Sequence, residues 1–166
     1  MRTAIIVTSL ILLSCVPGSR VHISQLTHAK NYEVVMEEPT ASMTEERTTR
    51  RFDILSSAVT FEERCQTAMR AAIELNKKFP CDLTSIVLIP ATELKTSGIF
   101  YARADYATDH KGVLGISGVD PALPGWDWYV SGSERILTEK ELSIAKLFFN
   151  HINDFPSGEC YQQFIL

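Results

Sequence analysis

Between Arg51 and Ile89 the chain reads RFDILSSAVTFEERCQTAMRAAIELNKKFPCDLTSIVLI, and this stretch decides the fold. Phe52, Ile54 and Ser56 alternate with Asp53 and Leu55, which is the two-residue period of a strand. Thr60 then opens a helix. With Glu63 it makes a capping box, in which each side chain accepts a hydrogen bond from the other residue's backbone N–H. Cys65, Ala68, Met69, Ala72, Ile73 and Phe79 return every three or four residues and give the helix one apolar stripe. Pro80 cannot continue it. Ser85 to Ile89 is a nearly continuous aliphatic run. Its length and β-branched content predict a strand buried on both faces. Strand, helix and strand in this order predict a right-handed βαβ crossover with the two strands parallel.

Outward from this unit the patterning continues. Phe100, Ala102, Ala104 and Tyr106 are expected on one face of a strand over Ile99–Tyr106, with Ile99, Tyr101, Arg103 and Asp105 on the other. The paired alanines predict a helix lying close against their face. Asp109-His110-Lys111-Gly112 reads as a turn, and Trp126–Ser131 as a further strand. Thr138 and Glu141 repeat the capping box ahead of a second amphipathic helix carrying Leu142, Ala145, Phe148, Phe149 and Ile152. Upstream, Asn31–Met36 is a possible first strand, Glu37–Thr49 a loop and Ser19–Lys30 a polar tether. The expected architecture is α+β: a two-layer sandwich, with a mixed sheet of four to five strands, a βαβ crossover and two helices on one face. The domain is expected over residues 51–166, behind a tether and possible first strand at 15–50 and a signal peptide at 1–14.

The segments TFEERCQTAMRAA (from Thr60), VLIP, YARADYATDHKGVLG (from Tyr101), WDW and LTEKELSIAKLFF follow one another in that order. Their order resembles a family of small exported bacterial domains of unknown function. In that family the middle stretch follows an A-x-x-Y-x-x-D-x-x-G-x-x-G pattern and precedes a tryptophan strand. The resemblance covers about Arg51 to Phe155. This chain departs from it where His110 precedes the lysine and where Pro121-Ala122-Leu123-Pro124 lengthens a loop. The resemblance implies a shared fold and brings no activity.

The N-terminus carries an address. Arg2 precedes the apolar run AIIVTSLILL at Ala4–Leu13, a charged n-region and a short h-region. A permanent membrane span needs about twenty apolar residues, so this run is too short to be one. Leu12-Leu13-Ser14-Cys15 resembles the lipobox of bacterial lipoproteins, in which the cysteine is lipidated and becomes the mature N-terminus. The resemblance implies lipidation at Cys15 and an exported chain anchored on the periplasmic or outer-membrane face of the cell envelope. Two alternatives stand beside it: ordinary secretion after cleavage near Val16-Pro17-Gly18, and an uncleaved structural segment.

Composition narrows the function classes. There are 16 Lys and Arg against 20 Asp and Glu, a net charge of −4. Removing a leader that contains Arg2 makes it 15 against 20, or −5. That balance disfavours nucleic acid as a partner, because phosphate binding needs a basic face. Four cysteines are present: Cys15, Cys65, Cys81 and Cys160. Cys65 and Cys81 lie near opposite ends of one helix, too far apart to bridge. Cys65 falls on the apolar stripe as a small core residue, and Cys81 with Cys160 is the possible disulfide. No cysteine or histidine spacing fits a metal site, and no cofactor motif is present.

Tyr101, Arg103, Asp105, Asp109, Trp126 and Trp128 form the candidate binding surface, since Trp, Tyr and Arg dominate interface hot spots. The competing reading places one tryptophan face in the core, leaving Asp127 and Tyr129 outward. The expected function is a cell-envelope lipoprotein whose domain binds another macromolecule, a protein of the envelope. The membrane is engaged through the N-terminal lipid. One alternative is an envelope hydrolase built from His110, Ser117 and an aspartate; another is a structural envelope component. Lipidation makes the first prediction. Wild type should partition into detergent and Cys15→Ala into the aqueous phase, with an intact-mass difference matching the acyl chains. Identical aqueous partitioning of both would contradict it.

Overall fold

The computed structural model describes residues 21–40, 47–95, 97–113 and 127–153. Five strands form one mixed sheet in the order β1-β2-β3-β4-β5: β1 is Tyr32–Thr40, β2 Thr49–Ser56, β3 Leu83–Leu88, β4 Ala102–Ala107 and β5 Trp128–Gly132. Neighbouring strands are antiparallel except β2 and β3, which run parallel and are joined by helix α1, Phe61–Lys78. The expected βαβ crossover is therefore present, in an α+β architecture with an open mixed sheet and two helices packed on it. α1 lies across β3, β4 and β5, while α2, Glu139–Asn153, packs on a 3-10 turn at Thr92–Leu94 that links β3 to β4.

The capping box forms as read. Glu63 N donates to Thr60 Oγ1 at 3.1 Å, and Glu63 Oε2 accepts from Thr60 N at 3.1 Å and Val59 N at 2.9 Å. Lys30 Nζ stands 2.7 Å from the other Glu63 oxygen. Lys30 first, then the two backbone N–H groups, hold the Glu63 carboxyl down at about 2. A carboxyl depressed on folding contributes stability above its unfolded pKa, and that contribution is lost as pH falls toward about 2. The helix ends at Lys78, two residues before Pro80, with Lys77 and Lys78 at the negative end of its dipole.

Phe52, Ile54, Ile86, Leu88, Ala102 and Ala104 meet Ala68, Met69, Ala71, Ala72 and Leu75 of α1 in one core. Alanines on both sides of the contact bring helix and sheet close together, as the strand pattern predicts. Trp128 belongs to this core and stacks on Tyr106, ring centroids 4.3 Å apart. Gly132 closes the corner beneath α1: a Cβ there would sit 2.9 Å from Cys65 Sγ and 3.0 Å from Phe61. Burial raises the Cys65 thiol pKa to about 11, in keeping with its reading as a small core residue.

Several boundaries differ from the sequence reading. The segment expected as a tether packs on the domain from Val21 onward. Leu26 is buried in the core, His28 N donates to Gln66 Oε1 at 2.8 Å, and Lys30 N to Thr67 Oγ1 at 2.8 Å. Its 3-10 turn and irregular backbone carry no hydrophobic period, so pattern alone does not show it. The first strand runs on to Thr40, paired with β2 as far as Thr49, and an ion pair joins Glu37 to Arg50. Pro39 is tolerated because β1 is an edge strand. β4 begins at Ala102, so Ile99–Tyr101 lie outside the strand's alternation. Cys15, Ser117, Trp126 and Cys160 lie outside the described residues.

The two capping boxes can be tested directly. Thr60→Ala should lower stability by about 1 kcal/mol, and Thr138→Ala should act in the same direction. Chemical denaturation reads both, and unchanged midpoints would contradict the helix starts.

Candidate functional site

The sheet's second face, turned away from α1, carries a motif that occurs twice: Arg51-Phe52-Asp53 on β2 and Arg103-Ala104-Asp105 on β4. The middle residue of each triplet enters the α1-side core, so both charged residues turn to the other face. β3 lies between the two strands. Register places Arg51, Ser85, Asp105 and Tyr129 in one cross-strand row and Asp53, Val87, Arg103 and Ser131 in the next. Because β2 and β4 run in opposite directions, the motif is reversed from one to the other, and the charges form a checkerboard.

Each arginine pairs with the aspartate of its own strand. Arg103 Nη2 and Nε meet Asp105 Oδ2 and Oδ1 at 2.9 and 3.2 Å, and Ser85 Oγ donates to Asp105 Oδ1 at 2.5 Å. Arg51 Nε donates to Asp53 Oδ1 at 3.0 Å. Asp53 is wholly buried, and its Oδ2 has no hydrogen-bond partner among the described residues. Both carboxylates are buried, while the Arg103 side chain remains 41% exposed. The arrangement holds two guanidinium groups in place over fixed negative charge. Beside it, Val113 packs on Leu83, Ala107 and Tyr129.

A second constellation sits at the end of the sheet where β2 and β3 begin. Arg47 Nη2 donates to Asp109 Oδ1 at 2.9 Å and to the Gly112 carbonyl at 2.7 Å, clasping the expected turn. Asp82 accepts from Thr48 N and Oγ1 at 2.8 and 2.7 Å, and these two bonds lower its carboxyl pKa. Within the turn His110 adopts φ +57°, a left-handed conformation uncommon for a residue with a side chain. Its Nδ1 lies 2.9 Å from Asp127 Oδ2, and the side chain is 70% exposed. An aspartate-oriented imidazole of this kind has the geometry of a general base.

The candidate residues thus divide among several places. Arg103 and Asp105 belong to the checkerboard. Asp109 serves the turn. Tyr101 leaves the expected face, and its ring lies under the Arg64 guanidinium at 5.3 Å. Trp128 faces the core with Tyr106, so its ring is not offered to a partner, and Asp127 and Tyr129 flank it as the competing reading expected. Cys81 has no disulfide partner among the described residues, and its thiol donates to the Leu83 carbonyl at 3.3 Å. Among the described residues no three His, Cys, Asp or Glu side chains are grouped to hold a metal ion. Arg51, Asp53 and Ser85 are the residues missed. The signal for Arg51 and Asp53 was an Arg-x-Asp triplet, repeated at Arg103 and Asp105.

The chain belongs to the family described as a domain of unknown function (DUF4875), whose model matches residues 27–163. That span takes in β1 and the five residues before it. No curated protein matches the chain significantly. It is similar in structure to a DUF487 family protein from Desulfovibrio piger ATCC 29098, with a TM-score of 0.55 at 23% identity over 78% of this chain and 76% of that one. The likeness shows the fold.

The checkerboard predicts unequal costs for its two arginines. Arg51→Ala strands a buried carboxylate and should cost about 3 kcal/mol. Arg103→Ala, more exposed and leaving Asp105 its bond from Ser85, should cost about 1 kcal/mol. Urea midpoints distinguish them; equal, negligible losses would contradict the pairing.

Proposed function

We propose that this member of the DUF4875 family is a cell-envelope lipoprotein, anchored through Cys15, whose domain binds a protein partner on the arginine–aspartate face of its sheet. The observation that carries the reading is the pair of arginines, Arg51 and Arg103, each immobilised by a buried aspartate on a face that α1 does not cover. Arginine is favoured at interfaces because its planar fork makes several directed hydrogen bonds, and a fork already held in place loses less entropy on binding. Ser131 stands beside Arg103 and Tyr129 beside Asp105 in the cross-strand rows, and they supply a small polar neighbour and an aromatic anchor. The checkerboard balances two positive against two negative charges. It therefore suits a partner surface of mixed hydrogen-bonding character better than a polyanion.

One observation supports a second reading, the hydrolase. The His110–Asp127 pair reproduces the base and its orienting carboxylate. The nucleophile of that reading, Ser117, lies outside the described residues.

The two readings separate experimentally. A photo-crosslinking residue at Ser131 should give a discrete protein adduct in intact envelopes, lost when Arg103→Ala is added, whereas one at Lys77 on α1 should give none. Adducts indifferent to Arg103→Ala would overturn the binding face. A fluorophosphonate probe should leave the protein unlabelled; labelling abolished by Ser117→Ala and by His110→Ala would establish the hydrolase instead.

A further inference from the structure

The end of the molecule where α1 begins is apolar on its surface. Val59 is 61% exposed, and Phe61, Ile99, Phe100 and Ile136 are exposed with it. These residues come from three separate segments that the fold brings together. Phe61 packs against Gly132, Ser133 N donates to the Tyr101 carbonyl at 2.8 Å, and Arg64 in the first turn of α1 reaches the carbonyls of Glu134 and Arg135. Between the segments runs a shallow groove of about 240 Å³ lined by Ile99, Phe100, Tyr101, Ser133, Arg135 and Leu137, with Gly98 at its rim. Single exposed apolar side chains are ordinary, but five large ones gathered at one end mark a surface that meets something apolar.

The path of the chain says what that is. His28 is held at Glu62 and Gln66, Lys30 at Thr67, and the Ala29 and Lys30 carbonyls at Arg70. From His28 to Lys30 the chain therefore runs along α1 from its start toward its end. His28 therefore sits against the first two turns of the helix, the end that carries Phe61. Only five residues lie between Val21 and Cys15. At about 3.6 Å per residue they reach about 20 Å at most. A lipid on Cys15 would thus hold Val21, which packs on the core seven positions before His28, within about 20 Å of the bilayer surface.

We propose that this apolar end is a membrane-contact surface, with Val59, Phe61, Ile99, Phe100 and Ile136 entering the lipid interface beside the anchor. This rests on the lipoprotein reading and extends it: the anchor becomes one of two attachments, and the domain stands on the membrane in a fixed orientation. Apolar side chains at the interface add to an acyl anchor because each removes its own surface from water.

The test uses phospholipid vesicles doped with a diazirine-bearing phospholipid, with adducts mapped by mass spectrometry. Two forms of the chain are compared: the native protein purified from membranes, and the mature chain held by an N-terminal hexahistidine tag on vesicles carrying nickel-chelating lipid. The expected result for both is lipid adducts concentrated several-fold on Val59, Phe61, Ile99, Phe100 and Ile136 over the outer face of α1. Phe61→Ser with Phe100→Ser should disperse the labelling while near-ultraviolet circular dichroism stays native. Labelling spread evenly over a vesicle-bound chain would overturn the inference. Adducts at these positions in the tagged chain, with a native chain that carries no lipid and stays off the vesicles, would remove the Cys15 anchor and leave the apolar surface standing.

Discussion

The close contact of α1 with the middle of the sheet is the constraint on which the rest depends. Ala68, Ala71 and Ala72 on the helix and Ala102 and Ala104 on β4 are all without exposed surface. With only methyl groups between the backbones, the helix sits near the strands, and one further carbon at these positions would force a shift. Gly132 extends the same requirement to β5, where even a methyl would collide with Cys65. Because small residues fill the α1 side of β4, the alternate residues Arg103 and Asp105 are committed to the opposite face. The arrangement on one side of the sheet follows from the packing on the other.

That opposite face combines rigidity with charge. A buried aspartate needs a paired cation, since taking a carboxylate out of water costs several kcal/mol. Arg51 and Arg103 meet this need from the solvent side and lose freedom of movement in doing so. Their exposure and their fixed position have one cause. The proposed partner surface and the proposed membrane-contact end lie on different parts of the domain: one on the sheet face away from α1, the other where α1 begins. A domain standing on that end would present the sheet face sideways, accessible to a neighbour in the envelope.

Much of the fold was legible because it rests on local chemistry. Thr60 and Glu63 announce the start of α1, Pro80 its end, and the alternation around Phe52 and Ile54 marks β2. The aliphatic run at Ser85–Ile89 marks the strand that must be buried on both sides. Tertiary neighbours decide the remainder. Asp53 looks like the solvent side of a half-buried strand, and only its adjacency to Arg51 and the central position of β2 make it a buried charge. Trp128 is a plausible anchor by residue type, yet its stacking on Tyr106 commits it to the core. Tyr101 fits the strand period but precedes the strand, so its ring turns toward Arg64. The segment around Leu26 has no period at all, and its place is set by the groove beside α1. The checkerboard was spelled out as two Arg-x-Asp triplets, but their juxtaposition depends on β3 lying between them.

If the Arg51–Arg103 face meets a partner in the envelope, that contact shields the side chains beside it from solvent. Hydroxyl-radical footprinting compares side-chain oxidation in intact envelopes with that of the purified chain. Tyr129 and Met36, which flank the two arginine–aspartate pairs in register, should be protected in the envelope, while Phe79 at the far end of α1 keeps the same reactivity in both. Equal oxidation of Tyr129 and Met36 in the two settings would contradict the claim.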